Sequence, residues 1–365
     1  MMILAAAAAM AVAFFLAATG TVVARRLAVL WDFISYPKGD RFSRAATPML
    51  GGCAIFLAIL MPSLLVLSLA VSWASGPLPA WAAGAWADRL SIHIGGAASK
   101  APMALIVLAG ATLLHVVGLV DDKKHLGPWI KLLAQFAVAA GVVLLADVRM
   151  LTLLGEPAST LGSICWIVLI TNSFNFLDNV DGLAAGVAAI CGCALLGSAA
   201  GSGQVFVGGW LCLLIGACAG FLVHNFPPAK VYMGDAGSMV IGYFLAVLSV
   251  LTTYYHSGPS GHYYGLFVPL VVLAVPLYDT LSVVTLRLRE RKNPMVGDTR
   301  HFSHRLIRRG MSPRAAVLTI YLATGATAVG ASLLPRVDEL GAVMVLGQTL
   351  AIVLLIALLE SAEQR

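Results

Sequence analysis

Eleven apolar, almost uncharged stretches, each roughly as long as a helix that crosses a bilayer, run through this chain of 365 residues. They lie near 2–24, 48–72, 102–120, 128–146, 160–177, 184–200, 205–224, 237–256, 263–286, 316–334 and 339–359. Composition agrees, with 60% hydrophobic and only 11% charged residues, where an ordinary soluble domain carries roughly 25% charged. So few charges cannot cover a soluble surface, and so much apolar area cannot stay disordered in water. The expected fold is all-α, a polytopic integral membrane protein of about eleven transmembrane helices forming one domain over 1–365.

The first stretch has no basic residue ahead of its apolar core and has Arg25-Arg26 behind it. That polarity opposes a cleaved signal and fits a retained helix with its N-terminus outside. Eleven crossings then put the C-terminus in the cytoplasm. With this parity only Arg89, Lys100, Arg149 and Arg336 stay outside, and the other 19 of the 23 lysines and arginines lie inside. Basic inner loops also account for the net charge of +6, so no nucleic-acid partner is expected. The six cysteines sit in apolar runs without metal-like spacing and read as small buried hydrophobes. The outer loop 73–101 carries Trp73, Trp81 and Trp86 and no evident chemistry.

Between Pro157 and Leu286 the only charged residues are Asp178, Asp181, Lys230, Asp235 and Asp279. Ionisable groups in such segments are costly and mark a function or a pathway. Parity brings them, with Asp121-Asp122, to the inner ends of helices, where the loops 25–47, 121–127, 175–183, 225–236 and 287–315 form one face. Each acid alone can be a cap or a counter-ion to a lysine; their joint clustering is what a divalent cation with oxygen ligands requires. Mg²⁺ is held by one or two carboxylates plus substrate phosphates, with Mn²⁺ as a substitute. Gly51-Gly52, Gly234 and Gly237 add turns whose N–H groups can approach an anion.

Four segments carry this chemistry. In LVDDKK (119–124), followed by Lys131 and Gln135 on one helix face, the paired aspartates can bind a cation or accept a proton. In NSFNFLDNVDGLAAG (172–186), Asn172, Asn175 and Asp178 make a polar stripe on a very apolar helix before the Asp181-Gly182 turn. In NFPPAKVYMGDAGS (225–238), Asp235 opens a helix, as a cap and as a site where helix N–H groups meet an anion. His301 and His304 share a face beside Arg305, Arg308 and Arg309, a pattern that suits phosphate or sugar recognition as well as anionic lipid headgroups. Asp279 reads as a buried partner for an arginine.

Taken together, and with Thr47-Pro48-Met49-Leu50-Gly51-Gly52, these segments resemble the polyprenyl-phosphate N-acetylhexosamine-1-phosphate transferase superfamily from about Tyr36 to Arg314. The resemblance implies a Mg²⁺-dependent enzyme of the bacterial inner membrane, with its active site on the cytoplasmic face. A polyprenyl phosphate attacks the β-phosphate of a UDP-amino sugar and UMP leaves. Carried over by motif, Asp121, Asp122 and Asp178 are catalytic. Asp235, with Asp122, holds the metal. Lys131, Asn175, Asp181, Asn225, His301, His304 and Arg305 contact substrate. A homodimer is admitted as an assembly.

Ser303 stands where the N-acetylglucosamine branch carries a further histidine, and Ser43 where a histidine is common. About eleven spans favour that branch over the muramoyl-pentapeptide translocases, which are the main alternative. An ion-coupled transporter is the remote one, since its acids would spread toward the bilayer midplane and outer side rather than stay at inner helix ends.

Overall fold

The computed structural model describes residues 2–36, 46–76, 78, 87–254, 263–291 and 300–361. Its long helices are α1 (Met2–Leu30), α2 (Gly51–Ser75), α4 (Ala101–Lys124), α5 (Pro128–Leu145), α6 (Glu156–Leu177), α7 (Leu183–Gly201), α8 (Val205–Asn225), α13 (Pro313–Leu333) and α14 (Glu339–Ser361). Among the described residues these nine are long and apolar enough to cross a membrane. A tenth span is broken: α10 (Val268–Val272) and α11 (Ala274–Arg289) meet at 61°. Pro276, in the first turn of α11, lacks the N–H that would continue the ladder across the break.

The one expected span left over, near 237–256, is α9 (Asp235–Leu251), a helix of only 17 residues. It is also the axis of the bundle. Every residue from Ala236 to Ser249 is buried, and α2, α4, α6, α7 and α8 all pack around it. Burying apolar side chains gains little over lipid tails, so such packing relies on close van der Waals fit and small residues. A Cβ on Gly52 would strike the backbone of Gly237, and one on Gly118 the backbone of Ala236. These glycines let α2 and α4 touch the first turn of α9 backbone to backbone. Deeper in, the Tyr243 hydroxyl donates to the Val107 carbonyl at 3.0 Å, so its buried O–H is satisfied.

By contrast, α1 and α14 show rows of exposed apolar side chains, Phe15, Val22 and Val23 on one and Val343, Leu354 and Leu358 on the other. These are lipid-facing surfaces.

Several boundaries differ from expectation. The first helix runs on to Leu30, taking Arg25 and Arg26 into its last turns. Asp121–Lys124 are the last turn of α4 rather than a loop, closed by His125 in the left-handed region (φ 51°) before Pro128 opens α5. Residues 175–177 likewise end α6. The segment read as an outer loop contains a helix, α3 (Ala87–Ser99), and the inner segment 287–315 contains α12 (Phe302–Arg308). A two-residue antiparallel pair joins β1 (Ile34–Ser35) to β2 (Thr47–Pro48). Lys38, Arg41, Ser43, Arg44, Trp81 and Trp86 lie outside the described residues, as do 292–299.

Candidate active site

The end of α4, the start of α5 and the start of α9 converge on one cluster. The Lys131 ammonium lies 2.9 Å from Asp121 Oδ2 and 2.7 Å from Asp235 Oδ2, so a single cation bridges two carboxylates from different helices. The site is partly open, with side chains 11% (Asp121), 21% (Lys131) and 25% (Asp235) exposed. Two carboxylates against one lysine leave net negative charge. In addition, Asp121 Oδ1 is buried and has no hydrogen-bond partner among the described residues.

Asp122, one residue on, points elsewhere. Its Oδ1 accepts the Asp235 N–H at 2.9 Å and its Oδ2 the Ala236 N–H at 3.2 Å. It is the N-terminal cap of α9, supplied by another helix, and it spends the positive end of that helix on a protein carboxylate. The cap expected of Asp235 itself is therefore provided by Asp122, which frees the Asp235 side chain to face Lys131. Alongside, Asn175 at the end of α6 donates to Ser238 Oγ at 2.9 Å, which sets the polar stripe of α6 against the first turn of α9.

A turn deeper, Asn172 donates to the Gln135 side-chain carbonyl and to Val168 O at 2.9 Å. His115, stacked on Phe56 with ring centroids 4.2 Å apart, pairs through Nδ1 with Ala236 O at 2.9 Å. Sequence reasoning did not single out His115; a lone histidine in an apolar run carries no signal of its partner.

Three of the four glycine amides expected to approach an anion are already bonded. The amides of Gly51 and Gly52 donate to Tyr232 O (2.9 Å) and Met233 O (3.0 Å), and the Gly237 amide to Gly234 O (3.1 Å). Those glycines serve close backbone approach instead.

Asp181 and Asn225 form a second group. Asn225, 3% exposed, accepts the Gly182 N–H at 2.9 Å and donates to Val231 O at 2.8 Å. Asp181 Oδ2 accepts the Ala229 N–H at 2.9 Å. Both residues thus fasten the α6–α7 turn to the α8–α9 loop. Burial pushes the Asp181 carboxyl above the usual carboxylate range, and the Ala229 N–H pulls it partly back. Gly182 needs its left-handed φ of 76° at this turn, and the Tyr321 hydroxyl donates to its carbonyl at 2.5 Å. Asp178 closes α6 between the two groups and is half-buried.

The histidine segment is the third group. Where an arginine is expected, Asp279 bonds to α12: its Oδ1 accepts the Phe302 N–H at 2.7 Å, and its Oδ2 pairs with His301 Nδ1 at 2.9 Å. His304 is buried beside His301, with ring centroids 6.4 Å apart. Arg305 turns to Glu360 (3.0 Å) and Ser282 (2.8 Å). The segment reaches α6 through Ser303, whose hydroxyl donates to Asn179 Oδ1 at 2.5 Å, and through His301 edge-on to Phe176 at 5.9 Å.

All three groups lie at one end of the bundle, where α4, α6 and α8 end and α5, α7 and α9 begin. The comparisons with known proteins point the same way. Residues 104–253 match the family model "Glycosyl transferase family 4". The chain is 31% identical over 311 residues, 83% of its length and 77% of the relative's, to a protein of Bacillus subtilis. That protein is named "Probable undecaprenyl-phosphate N-acetylglucosaminyl 1-phosphate transferase". It is also 31% identical, over 94% of its length and 84% of the relative's, to the "Decaprenyl-phosphate N-acetylglucosaminephosphotransferase" of Mycolicibacterium smegmatis. A "Phospho-N-acetylmuramoyl-pentapeptide-transferase" of Gloeothece citriformis is 34% identical over a shorter match, 51% of this chain and 53% of that one. Matches of this extent to proteins of one kind, over helices that build the cluster, make the chain a member of glycosyl transferase family 4.

Proposed function

We propose that the protein transfers N-acetylglucosamine 1-phosphate from UDP-N-acetylglucosamine to a polyprenyl phosphate, on the cytoplasmic face of a bacterial inner membrane. An oxygen of the lipid phosphate bonds to the β-phosphorus, the bond from that phosphorus to the α–β bridging oxygen breaks, and UMP leaves. A phosphate monoester has a second pKa near 6, so the nucleophile needs orientation more than deprotonation. The reaction is a direct displacement in which positioning and charge neutralisation do most of the catalysis.

The observation that carries this reading is the bridged pair Asp121–Lys131–Asp235 beside a buried, unpaired Asp121 Oδ1. A site where two carboxylates share one ammonium keeps a net negative charge and has the donor set for a small divalent cation. Among the described residues no three His, Cys, Asp or Glu side chains stand close enough for a closed protein cage, which suits Mg²⁺, a cation that keeps water and substrate oxygens. Asp121 and Asp235 would hold it; bound there, Mg²⁺ supplies positive charge to the diphosphate. Asp122 acts from behind, fixing the start of α9 so that Asp235 faces the cluster. Lys131, which bridges the two carboxylates, would present its ammonium to a substrate phosphate beside that cation. Asn175 and Asp178 line the α6 side, Asp181 and Asn225 hold the loop that frames it, and His301 and His304 form the wall toward α12.

The names of the Bacillus subtilis and Mycolicibacterium smegmatis relatives, matched over most of their length, favour N-acetylglucosamine as the sugar. Nineteen of the 23 basic residues fall on the same side as the cluster under an odd number of crossings, which supports a cytoplasmic site. The test is UMP release by purified protein given undecaprenyl phosphate, Mg²⁺ and a panel of UDP-sugars. Release with UDP-N-acetylglucosamine is expected. Release with the muramoyl-pentapeptide nucleotide alone would overturn the sugar, and release with none would overturn the reaction.

A further inference from the structure

A helix of 7 residues such as α12 does not hold itself together; its place is set by what grips it. Asp279 grips its first turn and Ser303–Asn179 its middle, as described above. Its far end is gripped from an unexpected quarter. Glu360, in the last turn of α14, pairs with Arg305 at 3.0 Å and accepts the Tyr278 hydroxyl through its other oxygen. The Glu360 carbonyl accepts from the Arg309 guanidinium at 2.5 Å.

This carboxylate is only 8% exposed, although the span it ends is only 17% buried in the protein. The side chains of Arg305, Arg308, Arg309 and Glu360 line one cavity. Without the Glu360 carboxylate, Arg305 and the Tyr278 hydroxyl would both lose their bond to α14.

We propose that Glu360 is a positioning residue, which holds the histidine segment docked on the end of α6 and so sets His301 and His304 for the sugar nucleotide. The last helix is thereby a strut between the lipid and the site. One part of this rests on the proposed function, namely that α12 meets the nucleotide sugar; the docking itself does not.

The experiment has two arms on full-length protein in detergent. In the first, disulfide formation is followed between Cys introduced by Asn179→Cys and Ser303→Cys, with and without Glu360→Ala or Glu360→Gln. Cross-linking is expected to fall severalfold with Glu360→Ala and less with Glu360→Gln, which keeps an acceptor for Tyr278. In the second, steady-state UMP release is measured with the native Asn179 and Ser303. The KM for UDP-N-acetylglucosamine should rise about tenfold in Glu360→Ala while kcat stays within about threefold, the pattern of lost ground-state binding. A merely structural role would lower active fraction and kcat and leave KM alone. Unchanged cross-linking and unchanged KM in Glu360→Ala, or in Glu360→Gln if the alanine variant does not fold, would overturn the proposal. A wild type that releases no UMP would sink the proposed function, and the cross-linking arm would still decide whether Glu360 holds α12.

Discussion

Asp279 has both carboxylate oxygens occupied, by the Phe302 N–H at 2.7 Å and His301 Nδ1 at 2.9 Å, and is 1% exposed. Asp121, at the same end of the bundle, leaves Oδ1 without a partner and shares one lysine with Asp235. Both are buried acids. In the first the charge is consumed holding two elements together, and adding a ligand would break existing bonds. In the second the carboxylates outnumber their cation and open toward the surface, so a cation and phosphates can still be accepted. Satisfaction, rather than burial, separates a fastening from a site.

That contrast is most exposed to attack at Asp235. Replacing it by Asn should lower UMP release by about 10²–10³-fold, the usual cost of losing one charge-stabilising group, while the thermal midpoint barely falls because a like charge near Asp121 has gone. Near-normal turnover in Asp235→Asn would remove it from the site.

Lys131→Met is the next largest test. It leaves Asp121 and Asp235 facing each other unneutralised, and should cost about 1–3 kcal/mol of stability and about tenfold or more in turnover. Denaturation in detergent and UMP assays measure the two. A variant as stable as wild type would mean that the bridge contributes nothing.

On the fastening side, Asp279→Ala should destabilise by about 2–3 kcal/mol, since it orphans the buried Phe302 N–H and the His301 ring together. The dependence of the remaining activity on added divalent cation should match the wild type's; an altered one would merge the two regions. Asp122→Ala should cost about 1 kcal/mol, the worth of a helix cap, with the loss concentrated in hydrogen exchange at the first turn of α9.

The smallest effect is a pH slope. Burial raises the Asp181 carboxyl in the folded protein, so its contribution to stability is full below the ordinary carboxylate value. It is lost as pH climbs through the raised one. Asp181→Asn keeps an oxygen for the Ala229 N–H and should flatten that part of the stability–pH curve; an unchanged slope would reject the assignment.

Much of this fold was legible in the sequence because lipid imposes a length and a polarity on every span. The eleven stretches all correspond to helices, and the parity of their ends foretold that Asp121, Asn175, Asp178 and Asp235 come to one end. Hydropathy could not tell α9 from α14, because a helix buried among helices and one bathed in lipid are equally apolar; only the glycines at 52, 118 and 237 hint at which helix the others press against. Nor could spacing show what each polar group bonds to. Asp122 caps a helix 113 residues away, and Asn225 is consumed by the amide of Gly182 and the carbonyl of Val231. Glu360 carries no sequence signal of its role, since its arginine partners lie in another segment of the chain. Residue type pointed to the right end of the molecule; the division of labour there depends on backbone groups that carry no sequence signal.

Whether Asp121 and Asp235 share a divalent cation is read directly, without substrate or turnover, by Mn²⁺ titration followed by electron paramagnetic resonance. Wild type and Asp279→Asn should each bind one Mn²⁺ with similar affinity, and Asp235→Asn should lose that binding. Retained binding in Asp235→Asn, or its loss in Asp279→Asn, would contradict the assignment and move the chemistry to another part of the molecule.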